Sequence, residues 1–157
     1  MNWRAAVVTV SDRSASGARP DTSGPLLAGL LRELGLEVAE PVVVPDEVDA
    51  VQAALRAAAA SYDLVVTTGG TGLSPRDVTP EATAPLLDRQ VPGIAEALRA
   101  RNAAAVPTAV LSRGLAGTIG TTLVVNLPGS TGGVRDGIAV LAAVLDHALA
   151  QLRGADH

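Results

Sequence analysis

The run Thr67-Thr68-Gly69-Gly70-Thr71-Gly72 and the two aspartates Asp46 and Asp77 have the types and spacing for chemistry on phosphates. Glycines let a backbone approach a ligand closely and adopt conformations closed to other residues. Their amides, beside threonine hydroxyls, suit an anion. The run is not a Walker A loop, because no Gly-Lys-Ser/Thr follows, and it is not the dinucleotide fingerprint. By itself it reads equally well as a tight strand-to-loop turn. Asp46 and Asp77 both follow expected strands. Two carboxylates at one rim can hold Mg²⁺, which takes one or two carboxylates plus substrate phosphates. Taken singly, Asp46 also reads as a helix cap, and Asp77 as a loop residue bonding its own turn.

Asp12, Arg76, Ser112 and Ser130 carry weaker signals. A Ser or Asp after a strand often serves only the turn. Arg76 suits a phosphate or plain solvent. Ser130 suits the cap of the last helix, whose N-terminus attracts an anion. His147 falls inside that helix and reads as a partly buried helix residue. The sequence shows no His-based metal cluster.

These residues need elements to hold them. Ala5 to Val10 reads as a buried strand, followed by a Ser/Gly/Pro-rich loop to about Asp21. Ser23 is the expected cap of a helix with Pro25 in its first turn and Gly35 at its stop. Val38 to Val44 reads as a strand ended by Pro45, and Asp46 opens a helix to about Ser61. Leu64 to Thr68 is a short apolar strand of the doubly covered kind. Thr79-Pro80-Glu81 is a helix start with a hydroxyl cap, and another helix spans Gly93 to Asn102. Val106 to Arg113 fits strand or helix. Leu115 to Leu127 reads as two strands turning near Gly120, and one long helix follows from Val134 to Leu152. Residues 1–153 make one domain, with 154–157 as a frayed tail.

Alternating strands and helices imply an α/β fold: three layers, α/β/α, around a mostly parallel sheet. Ligands of such sheets bind beyond the carboxyl ends of the strands. Four segments follow expected strands: Ser11-Asp12, Pro45-Asp46, Gly69 to Asp77, and Pro128 to Ser130. They should converge on one rim.

Composition narrows the function. The chain is 48% hydrophobic, yet has no Phe, one Trp and one Tyr, so Val, Leu, Ile and Ala must fill the core. Little stacking surface is left for a flat ligand, which backbone and polar groups would have to hold. A net charge of −4 with no basic run argues against nucleic-acid binding. The absence of Cys excludes disulfides, thiolate metal sites and a Cys nucleophile. The apolar stretch in Met1 to Arg13 is too short and too soon charged for a signal peptide, and no run reaches membrane-span length. These features point to a cytoplasmic protein.

The order of motifs carries a resemblance. Val8-Thr9-Val10-Ser11-Asp12, Val44-Pro45-Asp46-Glu47, Thr68-Gly69-Gly70-Thr71-Gly72 with Pro75-Arg76-Asp77-Val78-Thr79-Pro80-Glu81-Ala82, Leu111-Ser112-Arg113, and Asn126-Leu127-Pro128-Gly129-Ser130 occur in sequence. Over nearly the whole chain this resembles the MogA/MoaB family of molybdenum cofactor biosynthesis, which includes the gephyrin G domain. CinA-like proteins have a related pattern, but in a Gly-Gly-Leu-Gly-Pro-Thr version that is absent here.

The resemblance implies a three-layer fold, a homotrimer, and Mg-dependent adenylation of molybdopterin by ATP with release of pyrophosphate. By motif matching, Asp46 and Asp77 would be the catalytic, metal-holding pair. Gly69, Gly70, Thr71 and Gly72 would line the nucleotide or pterin site. Ser112, Pro128, Gly129 and Ser130 would contact the pterin phosphate side, and Asp12 would sit on the same rim. A separate partner would insert molybdate. Fold does not fix function, so the alternative is a non-catalytic molybdopterin-binding or scaffold protein of the MoaB type.

Overall fold

Successive residues of the central strands face opposite ways, and the chain uses both faces. In the computed structural model, which describes residues 2–155, strand β1 (Arg4–Val10) sends Ala5 and Val7 to one apolar cluster and Ala6 and Val8 to another. Strand β4 (Leu64–Thr68) divides Leu64 and Val66 from Val65 in the same manner. Strand β7 (Thr122–Leu127) divides Leu123 and Val125 from Val124. This is the period-two alternation of a sheet buried on both sides.

Helices α2 (Ser23–Glu33), α6 (Thr131–Ala142) and α7 (Leu145–Leu152) cover the first face through Leu27, Leu31, Val134, Leu141 and Leu149. Helices α3 (Val48–Ala59) and α4 (Thr79–Thr83) cover the second through Val51, Leu55 and Ala82. The result is the expected three-layer α/β/α fold. Its aliphatic core brings backbones close. A methyl group on Gly137 of α6 would lie 2.6 Å from a Leu127 methyl of β7.

The remaining strands are β2 (Glu37–Val38), β3 (Val42–Val44), β5 (Arg89–Gln90) and β6 (Ala116–Ile119). The order is β2-β1-β4-β7-β6-β5, with β3 also on β1. β2, β3 and β4 run parallel to β1, and β7 runs parallel to β4, while β6 and β5 run antiparallel at one edge. Trp3, 8% exposed, closes the far end of the first cluster, and its indole N–H donates to Asp146 Oδ1 at 3.1 Å.

Several expected elements take a different form. Val38 to Val44 is two strands, not one, because Pro41 has no N–H to donate and interrupts the ladder. The long last helix is broken at Ala143-Val144 into α6 and α7, and it starts earlier, at Thr131. α3 starts at Val48, not Asp46. Ser23 is the first residue of α2 rather than its cap. Asp21 Oδ1 instead accepts the Gly24 N–H at 3.0 Å. The loop after β1 contains a short helix, α1 (Asp12–Ala15), whose Ser11 cap accepts the Ser14 N–H. Helix α5 (Pro92–Ala100) lies near its expected place, and Pro107–Leu111 forms a 3₁₀ turn. Gly154, with φ +86°, and Ala155 return N–H bonds to Gln151 and Ala150 and so close α7; residues 156–157 of the expected tail lie outside the described residues.

Candidate functional site

Because β1, β3, β4 and β7 are mutually parallel, the loops leaving Val10, Val44, Thr68 and Leu127 open at one edge of the sheet. They surround a cleft of about 670 Å³. Ser11, Asp46, Gly69 to Gly72, Asp77, Ser112 and Pro128 to Ser130 all line it. The walls expected from the sequence therefore converge, with one exception.

That exception is Asp12, which does not line the cleft. Its carboxylate is gripped by Arg76, Nε to Oδ2 and Nη2 to Oδ1, both at 2.9 Å. Oδ1 also accepts the Asp46 N–H at 2.9 Å. The Arg76 guanidinium, with help from that N–H, holds the Asp12 carboxyl below its usual pKa. Asp12 is a strut behind the wall, and Arg76, though largely exposed, is paired with it.

Asp46 does not cap α3; the cap residue is Glu47, without a side-chain bond. One Asp46 oxygen, Oδ2, accepts the Asp12 N–H at 2.9 Å. The other stands over the glycine wall, where a methyl on Gly70 would lie 3.1 Å from Oδ1. Burial raises the pKa of Asp46, and the negative charges of Asp12 and Asp77 add to the rise. Asp77 does bond its own turn: Oδ2 accepts the Ser74 N–H at 3.1 Å. It also overhangs the glycine wall, since a methyl on Gly72 would lie 2.9 Å from Oδ2. Both carboxylates thus line the same cleft.

The glycine run is shaped by contacts that no side chain would permit. Gly69 and Gly70 have φ of +100° and +69°, in the left-handed region. A methyl on Gly69 would meet the Val10 carbonyl oxygen at 2.3 Å. Thr79, expected as a helix cap, instead staples the run: its hydroxyl donates to Gly69 O at 2.9 Å and its N–H to Gly70 O at 3.1 Å. The Thr68 hydroxyl donates to Pro128 O at 2.8 Å, tying the β4 exit to the β7 exit.

On the opposite wall Ser130 caps α6 as expected, accepting the Gly133 N–H at 3.0 Å. The positive end of a twelve-residue helix therefore faces the cleft. Ser112 Oγ accepts the Gly114 N–H at 3.3 Å.

Sequence reasoning missed two residues of this frame. Asn126 is buried at the end of β7. It donates to the Thr67 and Thr83 hydroxyls and accepts the Leu115 N–H, so it links β4, α4 and the loop beyond Ser112. Arg113 donates to Gly72 O, Asp77 O and the Glu81 carboxylate. The only sequence sign of either was its place at the end of a motif segment, Leu111 to Arg113 or Asn126 to Ser130.

Among the described residues, no three Asp, Glu, His or Cys side chains cluster as a protein cage for a metal. Two facing carboxylates fit Mg²⁺ nonetheless, because this ion keeps water and substrate phosphates in the rest of its shell.

Residues 6–147 match the profile of a probable molybdopterin binding domain. The chain belongs to the MogA/MoaB family. It is 45% identical, over 98% of its length, to the molybdenum cofactor biosynthesis bifunctional protein of Synechococcus elongatus, and covers 48% of that protein. It thus spans about half the length of the bifunctional relatives it matches. It is 38% identical to the molybdopterin adenylyltransferase of Pyrococcus furiosus, over 94% of this chain and 89% of that one. The solved Mog protein of Mycobacterium ulcerans superposes with a TM-score of 0.92 at 47% identity, over 99% of both chains. The three-layer fold implied by the MogA/MoaB resemblance is the fold observed. Among the described residues no helix is long and apolar enough to cross a membrane.

Proposed function

We propose that the cleft transfers the adenylyl group of ATP to molybdopterin. A terminal phosphate oxygen of the pterin ligand forms a bond to the α-phosphorus of ATP. The bond from that phosphorus to the β-phosphate bridging oxygen breaks, and its electron pair leaves on pyrophosphate. The observation that carries this reading is the pair Asp46 and Asp77, facing one cleft across the Gly69–Gly72 wall.

Transfer between phosphates needs positioning and charge neutralisation more than a protein nucleophile. Asp46 and Asp77 would hold Mg²⁺. When bound, it would neutralise triphosphate charge and make the α-phosphorus more electrophilic. Gly69, Gly70, Thr71 and Gly72 give the nucleotide or pterin a wall without side chains. Pro128, Gly129 and Ser130, at the α6 N-terminus, and Ser112 hold the acceptor phosphate. The named activity of the Pyrococcus furiosus relative supports this assignment.

The same reading makes the protein a cytoplasmic homotrimer that passes adenylated product to a molybdate-inserting partner.

The test is pyrophosphate release from ATP and Mg²⁺, with and without molybdopterin, by the wild type and Asp77→Asn. Pterin-dependent release that the substitution removes supports the transferase. Pterin binding without release moves the protein to the non-catalytic, MoaB-type alternative.

A further inference from the structure

We infer that Arg113 is a positioning residue for this transfer: it clamps both ends of the Gly72–Asp77 excursion to the Ser112 wall and so sets where the Asp77 carboxylate stands. The inference rests on the adenylyl-transfer reading of the cleft.

All three guanidinium nitrogens are committed. Nε donates to Gly72 O at 2.9 Å, Nη2 to Asp77 O at 2.9 Å, and Nη1 to Glu81 Oε2 at 2.6 Å. The Arg113 backbone N–H adds a bond to Thr71 O at 2.8 Å. The acceptors come from the start of the excursion, its end, and the first turn of α4. A substrate-binding arginine would aim its fork at the ligand. This one aims it at two main-chain carbonyls and the Glu81 carboxylate, and it is not among the residues lining the cleft.

The chain between the clamped carbonyls is short and closed on itself. Asp77 N donates to Ser74 O, and Ser74 N donates back to Asp77 Oδ2. The turn is therefore a small rigid body carrying the carboxylate. Arg113 ties its two ends to the rest of the fold, and the Arg76–Asp12 ion pair adds a further tie. A methyl on Gly72 would lie 2.9 Å from Asp77 Oδ2, so a side chain there would push the carboxylate aside. Ser112, the residue before Arg113, lines the cleft, so the clamp also fixes the acceptor wall relative to the carboxylate. A lysine offers a point charge on a flexible stem and cannot serve three divergent acceptors.

The experiment compares wild type with Arg113→Met, Arg113→Lys and Glu81→Gln. It reads three quantities: kcat and KM for molybdopterin in pyrophosphate release, hydrogen–deuterium exchange of amides 72–78, and Mn²⁺ binding in the presence of ATP by electron paramagnetic resonance. A carboxylate displaced by about 1 Å costs about a hundredfold in rate. Arg113→Met should lower kcat by about that factor, leave KM within about threefold, speed exchange in 72–78 and weaken Mn²⁺ binding. Arg113→Lys should recover part of kcat. Glu81→Gln, which keeps the carbonyl contacts, should show the same pattern more weakly, and it stands in if the methionine variant does not fold. Unchanged kcat, or a KM rise with kcat intact, overturns the inference. A wild type that releases no pyrophosphate defeats the transferase reading. In that case the exchange and Mn²⁺ measurements still decide whether Arg113 positions Asp77.

Discussion

Asp12 and Asp46 each accept the other's backbone N–H through a carboxylate oxygen, at 2.9 Å in both directions. This reciprocal ring locks the exit of β1 to the exit of β3. Arg76 extends it, because the residue next to Asp77 grips the same Asp12 carboxylate. The two cleft carboxylates are thereby linked through Asp12 and Arg76. Asp12→Ala should cut turnover by about tenfold or more through misplacement of Asp46. The melting temperature should barely move, since the Asp12–Arg76 pair is exposed. A large loss of Tm with unchanged kcat would show that the ring only stabilises the fold.

The two sides of the cleft should separate kinetically. Asp77→Asn is expected to remove pyrophosphate release while pterin affinity stays within a few-fold, because a metal-holding group acts mainly on the transition state. Ser112→Ala should do the reverse and raise the dissociation constant for molybdopterin. Calorimetric titration of both variants checks this. Equal losses of binding and rate in Asp77→Asn would contradict the division.

Gly70 should not tolerate a side chain. Its φ of +69° costs an L-residue roughly 1–2 kcal/mol, and the added methyl would sit 2.3 Å from the Thr79 hydroxyl. Gly70→Ala should lower the urea midpoint accordingly and reduce turnover. An unchanged midpoint would mean that the loop relaxes freely and that the staple is weak.

Acid should weaken the fold at Asp63, far from the cleft. Burial pushes its carboxyl pKa up, but the Arg4 N–H and the Arg153 guanidinium outweigh burial, and the net shift is downward. A depressed folded pKa stabilises the native state above the unfolded value of about 3.9, and that stability is lost as pH falls through the folded value. The stability gap between wild type and Asp63→Asn should therefore be full at pH 7 and shrink below about pH 4. A gap independent of pH would assign the effect to shape rather than charge.

The sheet was legible in the sequence because it is built from local patterns. Leu64 to Thr68, with no polar interruption before its threonines, is a strand wherever it packs, and strand ends predict where the rim lies. The errors fell where tertiary contacts outbid a local rule. Thr79 has the sequence context of a cap, but it is already the first residue of α4, after Val78, and its hydroxyl donates to Gly69 O. Asp46 has the same ambiguity and was taken by the Asp12 N–H, thirty-four residues away in the chain. Arg113 carries no spacing signal, because two of its three side-chain acceptors are main-chain carbonyls, and every residue has one. The glycines, aspartates and serines of the motifs left a mark in residue type, whereas Asn102 and Asp136, which also line the cleft, and the frame residues Asn126 and Arg113 left almost none.

Trp3 offers an optical consequence. It is the single tryptophan of the chain, buried where β1 meets α7 and bonded to Asp146. It enters the sheet at the end opposite the cleft. Its emission should report the integrity of that seam and stay silent when ligand fills the cleft. Fluorescence thus becomes a clean denaturation signal for every variant above, readable in the presence of saturating nucleotide or pterin.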